Sequence, residues 1–272
     1  MAETIHLPLI TVAICCYNGE RYLEKTLNSV LAQDYSNFEI VIIDDGSSDG
    51  TAKIIERFAS QNKCIRAFFR SNHGLPASRN YSFGQAKGEW IAIIDQDDLY
   101  YPARLSRQLA VAQYYPTAGL VFSNVHHIDA SGKVIDDYLS AYALPDSFIP
   151  RGQAGNLLLT LGCFSASVSC LIKRETAQAV GAFDETIVYA CDYDYFIRAG
   201  FEVDFAYTQD CLAAWRRHAE QATSTYKKRD SEVRSVLWRY WRGSNVSGWN
   251  KLMLPVRILR SIVGHIVRMV YR

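Results

Sequence analysis

The chain has 272 residues, enough for one large α/β domain with a buried core or for two small ones. Apolar residues make up 49% and charged residues 21%, and the formal net charge is +1, which excludes a disordered, collagen-like or broadly polyanion-binding chain. The charge is uneven: residues 227–272 carry eleven Lys and Arg against Asp230 and Glu232, so the reading is a domain over 1–226 followed by a basic tail over 227–272. Cysteines at 15, 16, 64, 163, 170, 191 and 211 form no CxxC pair and show no His at zinc-ligand spacing, which predicts reduced, mostly buried thiols in a cytosolic setting. The first residues show no basic leader ahead of an apolar core, and no apolar run reaches about 18 residues, so neither a signal peptide nor a spanning helix is expected.

In chain order, a short apolar run over 9–15 predicts the first strand, and residues 21–33 place Leu23, Leu27, Val30 and Leu31 on one helical face. A second buried strand over 38–43 stops at Asp44-Asp45-Gly46-Ser47, a turn leading into a helix over 51–59. A third strand over 64–69, a helix over 76–86 and a fourth strand over 89–94 complete a βαβ rhythm, which predicts a mostly parallel sheet flanked by helices. After a strand over 118–122 the rhythm loosens: 143–165 reads as a long loop, 162–172 as another strand, and 192–198 as the opening of a helix. In such a sheet ligands bind beyond the carboxyl ends of the strands, so Tyr17 and Asn18, Asp44 and Asp45, and Asp95 to Asp98 are expected along one edge.

Asp95-Gln96-Asp97-Asp98 ends the run Trp90-Ile91-Ala92-Ile93-Ile94. Carboxylates at i and i+2 on an emerging strand suit a hard divalent cation that neutralises phosphate oxygens; the same residues also suit a capped turn. The order of VAICCYNGERYLEKTLNSVLAQ, FEIVIIDDGSSDGT, ASRN, WIAIIDQDD, DYDYFIRAG and WRRH, from about Leu9 to His218, resembles the inverting family 2 glycosyltransferases of the GT-A fold.

The resemblance implies a Rossmann-like GT-A sheet and transfer of a sugar from a nucleotide-diphosphate-sugar to an acceptor hydroxyl with inversion. It places Asp95 and Asp97 in a DxD motif that binds Mn²⁺ or Mg²⁺, with Asp97 as main ligand and Asp95 nearer the ribose. Asp45 looks like the family acid that reads base or ribose, with Tyr17 beside it; Asn18 and Asp44 join this group, although Asp44 also suits a turn cap. Arg79 matches the Arg of ASRN and would meet the diphosphate or an acid of the site. Asp192 is the expected general base, from Ala190-Cys191-Asp192, which is similar to the family's ED motif with Cys191 in place of Glu. Asp194 is expected to cap the helix or pair with Arg198. His218 aligns with a late histidine near the metal, and Gln96 hints at a rhamnosyltransferase-like subgroup.

Residues 256–272 separate at 100° per residue into a face with Arg257, Arg260, His265, Arg268 and Arg272 and a face of Ile, Leu, Val and Met. This predicts a helical amphipathic tail at an anionic cytoplasmic membrane surface, or one packed on protein. The expected partners are a UDP- or dTDP-sugar and a glycan or lipid-linked acceptor, with no nucleic acid. The expected setting is cytoplasmic and peripheral at the inner face of the cell membrane, in cell-surface polysaccharide or lipid-linked glycan synthesis. A nucleotide-sugar hydrolase and a degenerate nucleotide-sugar-binding protein are the alternatives. A nucleotidyltransferase is disfavoured, because Cys15-Cys16-Tyr17-Asn18-Gly19-Glu20 lacks its Gly-rich basic loop.

Overall fold

Strands β1 (Ile10–Cys16), β2 (Phe38–Asp44) and β4 (Trp90–Asp95) are buried along nearly their whole length, which is why their sequences read as continuous apolar runs rather than alternations. The structure is a computed structural model and describes residues 7–145, 147–219, 221, 226–243 and 255. With β3 (Ile65–Phe69) these strands form a parallel half-sheet in the order β3-β2-β1-β4, connected through α1 (Leu23–Leu31), α2 (Thr51–Gln61) and α3 (Leu75–Gln85). Helix α1 buries Leu23, Leu27 and Val30, the stripe its periodicity predicts.

The second half departs from the mostly parallel expectation, and the sheet is mixed. Strand β9 (Leu171–Lys173) lies antiparallel between β4 and β6 (Ala118–Ile128). Strand β10 (Asp204–Arg216) is parallel to β6, and the short β5 (Leu99–Tyr100) and β8 (Phe148–Ile149) pair with it antiparallel. Strand β7 (Val134–Asp137) turns back on β6, while α4 (Arg104–Tyr114) and α6 (Arg174–Val180) precede β6 and follow β9.

The stretch expected as a loop over 143–165 contains β8 and helix α5 (Gln153–Leu161). The strand expected over 162–172 is instead a 3₁₀ turn over Ser167–Ser169 followed by the three residues of β9. Helix α5 packs against α7 (Cys191–Glu202) through glycine: a Cβ on Gly200 would stand 2.5 Å from the Gly155 nitrogen. The residue that reads as a helix breaker in sequence is the one that lets two helices approach.

Alternate residues of the central strands feed two cores, one on each face: Ile10, Val12 and Ile14 to one, Ile91 and Ile93 to the other. The second is closed by α8 (Tyr226–Arg242), whose Val236 and Leu237 are fully buried. All seven cysteines are free. The amphipathic segment 256–272 lies outside the described residues. Among the described residues, no helix is long and apolar enough to cross a membrane.

Candidate active site

The parallel register sets the site. Cys16 lies opposite Asp44 and Cys15 opposite Asp95, so β1, β2 and β4 end level and release Tyr17, Asp45 and Gln96 along one edge. Short side chains knit these loops together. The Gln96 amide accepts from the Tyr17 N–H at 2.8 Å and donates to the Tyr17 carbonyl at 3.0 Å, and a Cβ on Gly19 would displace it. Asn18 holds a left-handed backbone with φ of 50°, accepts from the Ser48 N–H at 2.8 Å and donates its own N–H to Ser47. Ser47 in turn donates to Asp44 at 2.5 Å. The Asn18 and Asp44 side chains are therefore engaged in shaping the rim.

Asp45 is buried, and its two oxygens accept from the N–H groups of His73 at 3.0 Å and Gly74 at 2.8 Å. This fixes the entry to α3, the helix that carries Arg79. The Tyr17 ring is half exposed above this rim.

Arg79 joins the two halves of the site. Its side chain is 3% exposed, yet it donates to Asp95 at 2.8 Å and forms a close ion pair with Asp192 on α7. Burial opposes its charge, but the Asp95 carboxylate, through its charge and its hydrogen bond, acts with the nearby Cys191 and Cys15 to hold the guanidinium above its ordinary pKa. The other Asp192 oxygen accepts from Ser167 in the 3₁₀ turn. Asp194 pairs with Arg198 at 3.0 Å, one helical turn along, as expected.

The three acids at the end of β4 meet different partners. Asp95 has Arg79, and Asp98 accepts from the Arg216 N–H at 2.8 Å. Asp97 has the His218 Nε2 at 2.7 Å. Burial first, and then the charge of Asp95, pushes the Asp97 carboxyl up; His218 opposes this. The His218 ring packs 4.9 Å from Tyr22, over which Arg216 lies at 4.7 Å, and its Nδ1 is buried with no hydrogen-bond partner among the described residues. No cluster of three or more His, Cys, Asp or Glu at metal-binding range occurs among the described residues.

Beside these acids lies a cavity of about 510 Å³. Asp95 and Asp192 line it, together with Ser165, Tyr193, Trp215 and Arg217; Asp45, Asp97 and His218 stand outside that lining. Arg79 thus ties an acid of the strand edge to the helix-borne Asp192 on the cavity floor.

Several residues of the site carried no usable signal in the sequence. Ser167 lay within the stretch expected to be strand. Glu232 lay in the region expected as a basic tail, yet it accepts from the N–H groups of Val188 at 3.2 Å, Tyr189 at 2.6 Å and Ala190 at 2.9 Å. It thereby clamps the start of α7 and brings a carboxylate near Cys191, whose thiol burial pushes up. A lone Glu among arginines reads as a solvated pair, and only the docking of α8 reveals its partners.

Comparison with known proteins bears on the family and the fold. A family model described as Glycosyl transferase family 2 matches residues 11–179. An uncharacterized glycosyltransferase of Rickettsia felis is 28% identical over 86% of this chain, and the chain spans 38% of that relative's length. One from Methanocaldococcus jannaschii, MJ1057, is 25% identical over 97% of this chain and 91% of its own. Among solved structures, S. aureus TarS 1–349 in complex with UDP superposes with a TM-score of 0.67 at 17% identity, covering 92% of this chain and 70% of that one. The mannosyltransferase PcManGT from Pyrobaculum calidifontis, in complex with GDP-Man and Mn²⁺, gives 0.65 at 20% identity, covering 94% and 69%. Such low identity bears on the fold alone, and that fold is the GT-A-like sheet with flanking helices. The family match spans more than half of the chain, and the chain belongs to glycosyl transferase family 2.

Proposed function

We propose that the chain transfers a sugar from a nucleotide-diphosphate-sugar to an acceptor hydroxyl with inversion. The observation that carries this reading is the Asp95–Arg79–Asp192 bridge, which links the strand edge to a helix-borne acid in the lining of one cavity. Tyr17 and Asp45 take the nucleoside end of a UDP- or dTDP-sugar, with Asn18 and Asp44 holding the rim and Asp95 near the ribose. TarS in complex with UDP and PcManGT in complex with GDP-Man support a nucleotide donor on this fold.

The residues present fit a divalent cation, Mn²⁺ or Mg²⁺. Asp95 accepts from the Arg79 guanidinium and Asp98 from the Arg216 N–H, while among the described residues the charged partner of the Asp97 carboxylate is the His218 imidazole. Asp97 and His218 supply one oxygen and one nitrogen donor, and a cation in a phosphate site draws its remaining ligands from phosphate and water. When bound, the cation neutralises charge on the departing diphosphate.

Asp192 is the base. Ser167 and Arg79 orient its carboxylate, and each oxygen retains a lone pair for the acceptor proton. A distinct cavity over this carboxylate favours transfer to a bound acceptor over hydrolysis. The acceptor is a glycan or lipid-linked sugar of surface-polysaccharide synthesis. The basic residues of 227–272 bring the protein to the inner face of the cell membrane, and the rhamnosyltransferase-like subgroup stays within this proposal. Asp192→Asn is expected to lower turnover by roughly a hundredfold or more with donor binding retained, as judged by product formation and nucleotide titration. Near-normal turnover would remove Asp192 from the role.

A further inference from the structure

The cavity lining holds an arginine, Arg217, with no acidic partner among the described residues. Arg217 follows β10, and its backbone N–H donates to the Ile128 carbonyl at 2.7 Å, which fixes the chain beside the end of β6. Its Nη2 lies 3.0 Å from the Nε2 of His127, and the Nδ1 of that ring meets the Asp136 carboxylate in a short contact. Guanidinium can only donate, so Nε2 accepts and Nδ1 carries the proton toward Asp136.

His127 is 4% exposed, and the rings of Trp215 at 5.2 Å and Tyr138 at 5.5 Å hold it in place. The Asp136–His127 pair therefore aims the arginine without neutralising it, since the carboxylate is one ring away. Among the described residues Arg217 forms no ion pair, although it lines the cavity and is exposed.

The lining also carries acids, each with a partner: Asp95 and Asp192 meet Arg79, Asp98 accepts from the Arg216 N–H, and Asp230 lies 3.7 Å from Arg229. Trp215, Tyr138 and Tyr142 line the cavity as a contiguous aromatic group, with Tyr138 5.7 Å from Trp215 and 5.3 Å from Tyr142. Aromatic faces suit the C–H face of a pyranose, and the size falls within the roughly 300–1,000 Å³ usual for small-molecule sites. The Ser165 hydroxyl on the lining is buried with no hydrogen-bond partner among the described residues. A platform of rings, a spare hydroxyl and a fixed guanidinium with no ion pair among the described residues describe a receptor for a sugar that carries a negative charge.

We infer that this cavity binds an anionic saccharide, one bearing a phosphate or a carboxylate, with Arg217 reading the charge. The inference rests on the proposed transferase reading insofar as this saccharide is the acceptor. It places the charge on the acceptor rather than on the donor diphosphate, because Arg217 lines the cavity that Asp192 faces, whereas the neighbouring His218 and the Asp97 it meets stand outside that lining.

The test is calorimetric titration of the full chain with glucose, glucuronate, glucose 6-phosphate and inorganic phosphate, together with UDP and Mn²⁺ as a donor-site control. Wild type is expected to bind at least one charged sugar about tenfold or more tighter than glucose and tighter than inorganic phosphate. Arg217→Gln is expected to erase that preference, Arg217→Lys to restore part of it, and UDP binding to be unchanged in both. Equal binding of charged and neutral sugars, equal binding of inorganic phosphate, no sugar binding at all, or a loss confined to UDP would each overturn the inference. Because UDP binding is read separately, a failed donor site and a failed saccharide site give different results.

Discussion

Arg79 is the residue on which the proposed chemistry converges. A side chain with 3% exposure that meets two carboxylates is held by mutual compensation: each partner offsets the cost of burying the other. Arg79→Met leaves Asp95 and Asp192 facing each other without a cation. It is expected to lower unfolding stability by roughly 3 kcal/mol in urea titrations, and a loss below about 1 kcal/mol would mean the bridge is not what holds these acids. The motif ASRN made Arg79 legible in the sequence, but its partners were left open between the diphosphate and an acid. The acids of β4 were legible as a group, because they end an apolar run. Which partner each of the three takes was not legible, since the Arg216 N–H reaches Asp98 from 118 positions away.

At the scale of elements, polar residues in the frame decide how well the site is held. Glu39 on β2 accepts from Thr11 on β1 at 2.8 Å, from the Lys87 N–H at 2.8 Å and from Arg66 on β3 at 3.0 Å, so it ties three strands to the turn before β4. Burial raises its pKa, but the hydrogen bonds from Lys87, Thr11 and Arg66 outweigh burial and hold it below the ordinary 4.5. A depressed folded pKa contributes stability that is complete above the unfolded value and is lost as pH falls through the folded one. Glu39→Gln is therefore expected to cost about 2 kcal/mol at pH 7 and to flatten the fall in stability on acidification; parallel pH curves for variant and wild type would contradict this.

Helix α8 makes the complementary case on the other side of the site. If Glu232 clamps the entry to α7, Glu232→Gln is expected to speed amide exchange at residues 188–190 and to lower turnover several-fold more than it weakens donor binding. Unchanged exchange there would remove the clamp. Strands β1, β2 and β4 were legible because each is a local apolar run that stops at polar turn residues. Helix α5 and the turn at Ser167 were not, because glycine contacts between helices and a three-residue strand leave no period to read.

Across the whole molecule, the mixed sheet divides the work. The parallel β3-β2-β1-β4 half presents the rim proposed to take the nucleotide, and the β6–β10 half supplies the aromatic wall and Arg217, with Asp95 and Arg79 at the seam. The rim is set by level strand ends, and the cavity wall by side chains on β10 and α8 and in the segment after β7. The central claim is that Asp97 and His218 hold a cation over which a nucleoside diphosphate binds. The most direct measurement is titration of UDP and dTDP into the full chain with Mn²⁺ or with EDTA, for wild type and Asp97→Ala. Binding about tenfold or more tighter with Mn²⁺ in wild type, and indifferent to Mn²⁺ in the variant, is the expected result. Equal affinity with Mn²⁺ and EDTA in wild type, or an unchanged Mn²⁺ effect in Asp97→Ala, would contradict it.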